Sequence, residues 1–143
     1  MSDPLASVIT PVEEGCDTLG ECLRSVMQQD FGKTEVIVVC DARAAAVPAL
    51  PPGSDEVRVI NEPAPCSTAR LINDGMRAAR GHVKVLLRPY CVPAGTGWLR
   101  AMVAPFDQET VGVVLSGCRS ADDVGNASRN SGDSGNPKYS HEV

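Results

Sequence analysis

The chain is predicted to fold as an α/β domain on a mostly parallel sheet in the order 3-2-1-4, with helices on both faces. Three observations predict this. Short apolar runs alternate with segments that place apolar residues at helical spacing. The clearest run, Glu35-Val36-Ile37-Val38-Val39-Cys40, is apolar on both faces, as a central parallel strand requires. A chain that starts centrally and makes right-handed crossovers then gives the 3-2-1-4 order.

The first strand is read at residues 6–10 (Ala-Ser-Val-Ile-Thr), stopped by Pro11. Asp17 is the expected N-cap of a helix whose apolar stripe is Leu19, Cys22, Leu23, Val26 and Met27, ended by Phe31-Gly32. The second strand is the run 35–40. A loop rich in Ala and Pro follows, with Pro48, Pro51, Pro52 and Gly53 leaving little room for a helix. Residues 57–60 (Val-Arg-Val-Ile) alternate and make a third strand nearer an edge. Ser67 caps a second helix, ended by Gly81, expected to turn Ala69, Ile72, Met76 and Ala79 inward. Residues 83–87 form the fourth strand, 98–106 a short helix and 111–115 (Val-Gly-Val-Val-Leu) a fifth strand. The domain is expected to span 1–118, and residues 119–143, almost without large apolar groups, read as a polar, disordered tail.

Composition narrows the function classes. With 143 residues the chain holds one domain large enough for a core without staples. Its net charge of −5 argues against a nucleic-acid backbone as partner. No apolar run approaches the ~20 residues of a membrane span. Met1-Ser2-Asp3-Pro4 shows no signal-peptide pattern, so a cytoplasmic location is the expectation. The six cysteines (Cys16, Cys22, Cys40, Cys66, Cys91, Cys118) include no C-x-x-C pair and read as reduced, structural thiols. Cys40 and Cys91 stand apart because both fall at strand ends, where a redox pair or soft-metal site would need them close. His82 and His141 have no partner pattern, and Asn126-Ala127-Ser128 is a glycosylation sequon without a secretory context.

In the predicted topology the switch point lies between the first and fourth strands, and ligands bind beyond their carboxyl ends. That places Thr10-Pro11-Val12-Glu13-Glu14, Cys40-Asp41 and Arg88-Pro89-Tyr90-Cys91 around one crevice.

Several segments, in order from about Ser7 to Gly117, together resemble family 2 glycosyltransferases of the GT-A fold. Ser7-Val8-Ile9-Thr10-Pro11 with Glu13-Glu14 resembles the family's opening strand and turn. Leu19 to Gln29 is similar to the following helix with its C-L-x-S-x-x-x-Q core, and Glu35 to Asp41 to the second strand and its aspartate. Leu71-Ile72-Asn73-Asp74-Gly75-Met76-Arg77-Ala78-Ala79-Arg80-Gly81 resembles the L-N-x-G-x-x-A-A-x-G segment, and Val92-Pro93 with Gly97-Trp98-Leu99 the V-P-x-x-x-x-W-L element. The resemblance implies the N-terminal, nucleotide-binding half of a Rossmann-like GT-A fold, and transfer of a sugar from a nucleotide diphosphate sugar, often a UDP-sugar.

On that resemblance Asp41 aligns with the carboxylate that accepts the base imide N–H, and Thr10 and Pro11 with the turn under the base. Cys40 and Ala42-Arg43 replace the neighbouring family residues, an aspartate and Gly-Ser. The metal-binding aspartates fall at Arg88, Pro89 and Tyr90, which supply no hard oxygen ligand, so no metal is expected. The nucleotide-binding set is therefore Thr10, Pro11, Asp41, Arg88 and Tyr90, with no catalytic or metal-ligating residue assigned. Asp122-Asp123 is the only acidic pair in the region where the family's catalytic base would fall.

Each site residue also has a structural reading. Arg88 either binds diphosphate as a fixed cation or forms a salt bridge with Glu13, Glu14 or Asp41. Asp41 is a base ligand or a loop cap; Tyr90 stacks on a base or covers the sheet edge. Glu13-Glu14 is an oxygen-ligand pair or a solvated face. Three functions stay open: a transferase-related nucleotide-sugar binder, an inactive relative serving as an interaction module beside a partner glycosyltransferase, and the front of a longer enzyme.

Overall fold

The computed structural model describes residues 4–43, 57–63 and 65–117. It divides into two compact units, Met1–Val103 and Ala104–Val143. The expected Ala/Pro loop from residue 44 and the expected tail from residue 119, with Asp122-Asp123, the sequon and His141, lie outside the described residues.

In the first unit β1 (Ala6–Val12), β2 (Thr34–Asp41), β3 (Val57–Glu62) and β4 (Val83–Leu86) form one sheet with α1 (Leu19–Met27), α2 (Thr68–Ala78) and α3 (Trp98–Val103) around it. The order is β3-β2-β1-β4 and every pair is parallel, with Val8 opposite Val36 on one side and Val85 on the other. The predicted order and helix placement are therefore those of the molecule. Because strand side chains alternate, β2 feeds two cores. Val36, Val38 and Cys40 join Leu19, Cys22, Leu23 and Val26 of α1 and Leu99 of α3, while Ile37 and Val39 meet Leu71 of α2.

Several elements differ from their sequence prediction. Strand β1 runs through Pro11 to Val12. In a parallel ladder the N–H and C=O of one residue face the same neighbour, and Ile9 O accepts the Leu87 N–H at 2.9 Å. Pro11, two residues on, faces the same side and has no N–H to offer. The β1–β4 ladder ends at Ile9↔Leu86, and the proline sits where β1 has become an edge on that side. This missing donor opens the crevice at the switch point.

Helix α1 begins one residue beyond Thr18, and Asp17 is not its cap. The Thr18 hydroxyl makes no capping bond; it donates to Pro89 O at 3.0 Å. Ser67 does cap α2, accepting the Arg70 N–H at 3.3 Å. The buried face of α2 is Leu71 and Gly75, with Ile72, Met76 and Ala79 only half-buried and Ala69 exposed. Gly75 is the reason: a Cβ there would lie 2.5 Å from Ile9 Cγ2, so the helix packs on the sheet at its glycine.

The N-terminal strand ends are pinned by a polar cluster. Glu35 is buried, and its carboxylate accepts from Ser7 Oγ (2.8 Å), Arg80 N and Nε (both 3.0 Å) and Arg58 Nη1 (3.0 Å). Ser7 Oγ in turn accepts the Gly81 N–H at 2.8 Å. A Cβ on Gly81 would come within 2.5 Å of Ser7 N, so this approach admits only glycine.

In the second unit a 3-10 helix spans Ala104–Asp107. The α-helix expected over 98–106 stops at Val103 because Pro105 has no N–H to continue the ladder. The fifth strand expected at 111–115 does not form. Residues 111–117 are irregular, with Val113 and Leu115 exposed, and no ladder partner lies among the described residues. β-propensity makes no strand without a partner.

Candidate functional site

Beyond the carboxyl ends of β1 and β4 lies a cleft of about 260 Å³ lined by Pro11, Glu13, Glu14, Gly15, Cys16, Arg88, Pro89 and Tyr90. It occupies the opening that Pro11 creates. Of the five predicted site residues, Pro11, Arg88 and Tyr90 meet in this cleft. Thr10 is outside the lining and fully buried, its Oγ1 without a hydrogen-bond partner among the described residues. Asp41 closes the adjacent strand β2, outside the cleft lining.

The Arg88 loop is held by one row of α1-side polar groups at helical spacing. Thr18 Oγ1 donates to Pro89 O (3.0 Å), Cys22 Sγ to Arg88 O (3.8 Å), Ser25 Oγ to Pro93 O (2.5 Å) and Gln29 Nε2 to Gly95 O (2.7 Å). Gln29 Oε1 also accepts the Leu99 N–H at 3.0 Å. Cys22, Ser25 and Gln29 are the conspicuous residues of the helical motif, and Pro93 and Leu99 belong to the V-P-x-x-x-x-W-L element. Two motifs about seventy residues apart (|i−j| = 68 for Ser25–Pro93) are thus halves of one fastening.

Arg88 is exposed at the cleft, and among the described residues no carboxylate lies within salt-bridge distance of it. The expected salt bridge to Glu13, Glu14 or Asp41 is not formed. Tyr90 stands 64% exposed at the cleft rim rather than covering the sheet edge. Burial first, then the neighbouring Cys91 and Cys16, pushes the Cys22 thiol up to about 12, so it stays protonated. Burial, then Asp41, raises Cys40 as well. Cys91 thus neighbours Cys22 electrostatically, and Cys40 neighbours Asp41.

Asp41 is both capping and paired. Its Oδ1 accepts the Arg43 N–H (2.7 Å), and its Oδ2 accepts Arg43 Nε (2.9 Å) and Nη2 (2.6 Å). Its side chain is 0% exposed beneath an Arg43 that is 46% exposed. The side-chain bonds from Arg43 hold its carboxyl below the usual range against the opposing effect of burial, aided by the Arg43 and Cys66 N–H groups. The sequence carried a signal for this that the motif reading passed over: an arginine two residues after an aspartate at a strand end matches an Asx turn closed by its own guanidinium. Glu35, read only as the start of a strand, was missed for a different reason, since its partners are more than twenty residues away.

The carboxylates lining the cleft at the switch point are Glu13 and Glu14. Arg88, Pro89 and Tyr90 offer no carboxylate, and among the described residues no three His, Cys, Asp or Glu groups converge to hold an ion.

The all-parallel β3-β2-β1-β4 sheet with helices on both faces and a cleft at its switch point defines a Rossmann-like α/β domain of GT-A type. The chain belongs to glycosyl transferase family 2, whose model matches residues 7–142. No curated protein matches the chain. Among the described residues no helix is long and apolar enough to cross a membrane.

Proposed function

We propose that the switch-point cleft binds a nucleoside diphosphate sugar, with Arg88 supplying the positive charge that faces the diphosphate. One observation carries this reading: Arg88 lines the cleft with no carboxylate partner among the described residues, on a loop fastened to α1 and its flanking residues by four side-chain bonds. A guanidinium keeps its charge at every working pH and offers paired donors to phosphate oxygens, so it binds an anion without a metal bridge. Tyr90 at the rim presents a ring face to a sugar or base. Glu13 and Glu14, which also line the cleft, repel a diphosphate, which makes Arg88 the decisive group.

The test is calorimetric titration of the full chain with UDP and with uridine, each with and without manganese. Arg88→Ala weakens UDP about ten- to a hundredfold, the loss expected of one charge-assisted bond, and leaves uridine unchanged. Strong tightening of UDP by manganese refutes the metal-independent reading. Failure of UDP to bind at millimolar concentration favours the interaction module, for which the exposed Leu86, Tyr90 and Val92 along β4 and its loop are the supporting observation.

A further inference from the structure

We infer that Arg43 is an internal ligand for the base-recognition carboxylate of Asp41 and that it sets the base specificity of the cleft. This rests on the proposed reading of the cleft as a nucleoside diphosphate site and extends it to Asp41, which ends the neighbouring strand β2 outside the cleft lining. A carboxylate at the end of β2 selects uracil only if an oxygen is open to accept the N3–H. Here both oxygens are engaged by one residue: Oδ1 by the Arg43 N–H, Oδ2 by Arg43 Nε and Nη2. No part of the Asp41 side chain reaches solvent, whereas nearly half of Arg43 does. Nη2 also reaches Cys66 O at 3.5 Å, so the guanidinium is anchored on both the β2 end and the approach to α2.

The consequence is an exchange of polarity. Where an acceptor would face the base, the folded chain presents the back of a guanidinium, a donor surface. An imide N–H gains nothing there unless Arg43 swings out. Swinging the side chain out gives up the two charge-assisted guanidinium bonds to Oδ2, at 2.9 and 2.6 Å, for one charge-assisted bond to the base, while the Arg43 N–H stays on Oδ1. The closed arrangement therefore holds a nucleotide by its phosphates through Arg88 and tells bases apart poorly. Removing Arg43 leaves Asp41 as a buried carboxylate lacking its main donors, which an imide N–H is well suited to satisfy.

UDP and CDP separate the alternatives, because uracil presents a donor at N3 where cytosine presents an acceptor, at the same size and shape. Affinities of both ligands are measured for the wild type, Arg43→Ala and the double variant Asp41→Ala/Arg43→Ala, with circular dichroism establishing that each is folded. The wild type is expected to bind UDP and CDP within about threefold of each other. Arg43→Ala is expected to prefer UDP by about tenfold or more, the scale of one charge-assisted bond. The double variant returns to indifference. If Arg43→Ala does not fold, Arg43→Gln, which keeps a single amide donor for Asp41, shows a smaller preference of the same sign. A wild type that already prefers UDP tenfold, or an Arg43→Ala that binds both ligands alike, overturns the latch while the phosphate-binding cleft stands. Absence of binding by every variant overturns the nucleotide reading itself, and the latch with it.

Discussion

Acidification from about pH 6 to pH 2.5 should unlock the N-terminal end of the sheet through a single residue, Glu35. Burial alone would raise its pKa. The hydrogen bonds from Arg80 N, Ser7 Oγ, the Arg80 side chain and Arg58 outweigh this and bring the carboxyl from 4.5 down to about 2. At ~1.4 kcal/mol per pH unit that difference corresponds to roughly 3 kcal/mol of folding free energy. Arg58 and Arg80 are 43% and 64% exposed, so solvent screens part of each pair. About 2 kcal/mol is the better figure after that discount. The sign follows from linkage. A carboxyl whose folded pKa is depressed contributes fully above its unfolded value of 4.5, and the contribution is lost as pH falls towards about 2. In Glu35→Gln the carboxamide keeps one acceptor oxygen and turns an NH2 towards arginine donors. Urea unfolding followed by the fluorescence of Trp98, the single tryptophan, measures both proteins across this range. The variant should be less stable by about 2 kcal/mol near pH 6, and the gap should close as pH approaches 2.5. Other carboxylates titrate in both proteins and cancel in the difference. A gap that stays constant over the whole range refutes the assignment.

Gly81→Ala should destabilise the fold by at least about 2 kcal/mol, because its Cβ would meet backbone that cannot move aside; an unchanged thermal midpoint would show that the turn relaxes. Thr10→Val should be neutral or stabilising by about 1 kcal/mol, since it removes a buried hydroxyl with no partner among the described residues; a clear loss in urea unfolding would reveal a partner for Oγ1. Gln29→Ala should cost about 1–2 kcal/mol and speed amide exchange at Leu99, whose N–H it caps at 3.0 Å, while exchange in β2 changes much less.

The order of strands, the parallel pairing and the burial of β2 were legible in the sequence. A run of β-branched residues apolar on both faces has one comfortable place, between two helical layers. The α1 stripe was legible for the same reason: helical spacing fixes which residues share a face. The inward face of α2 was not, because glycine carries no apolar signal and its effect depends on the Ile9 side chain it lies against. Nor was the fate of residues 111–115, whose strand propensity has an effect only where a ladder partner exists.

For the site the division is similar. Loss of carboxylates at Arg88, Pro89 and Tyr90 is a property of residue types, and the sequence by itself determined it. That Pro11 opens the crevice depends on which neighbour its absent N–H would face, and register in the ladder decided that. Whether Arg88 would be neutralised by Glu13 or Glu14, and whether Asp41 would stay open, depended on distances of a few ångströms between groups free to rotate. Tertiary structure alone decided those, because a charge pairs with whatever the fold brings within reach. The fold gave Asp41 its own near neighbour, Arg43, and left Arg88 facing the cleft.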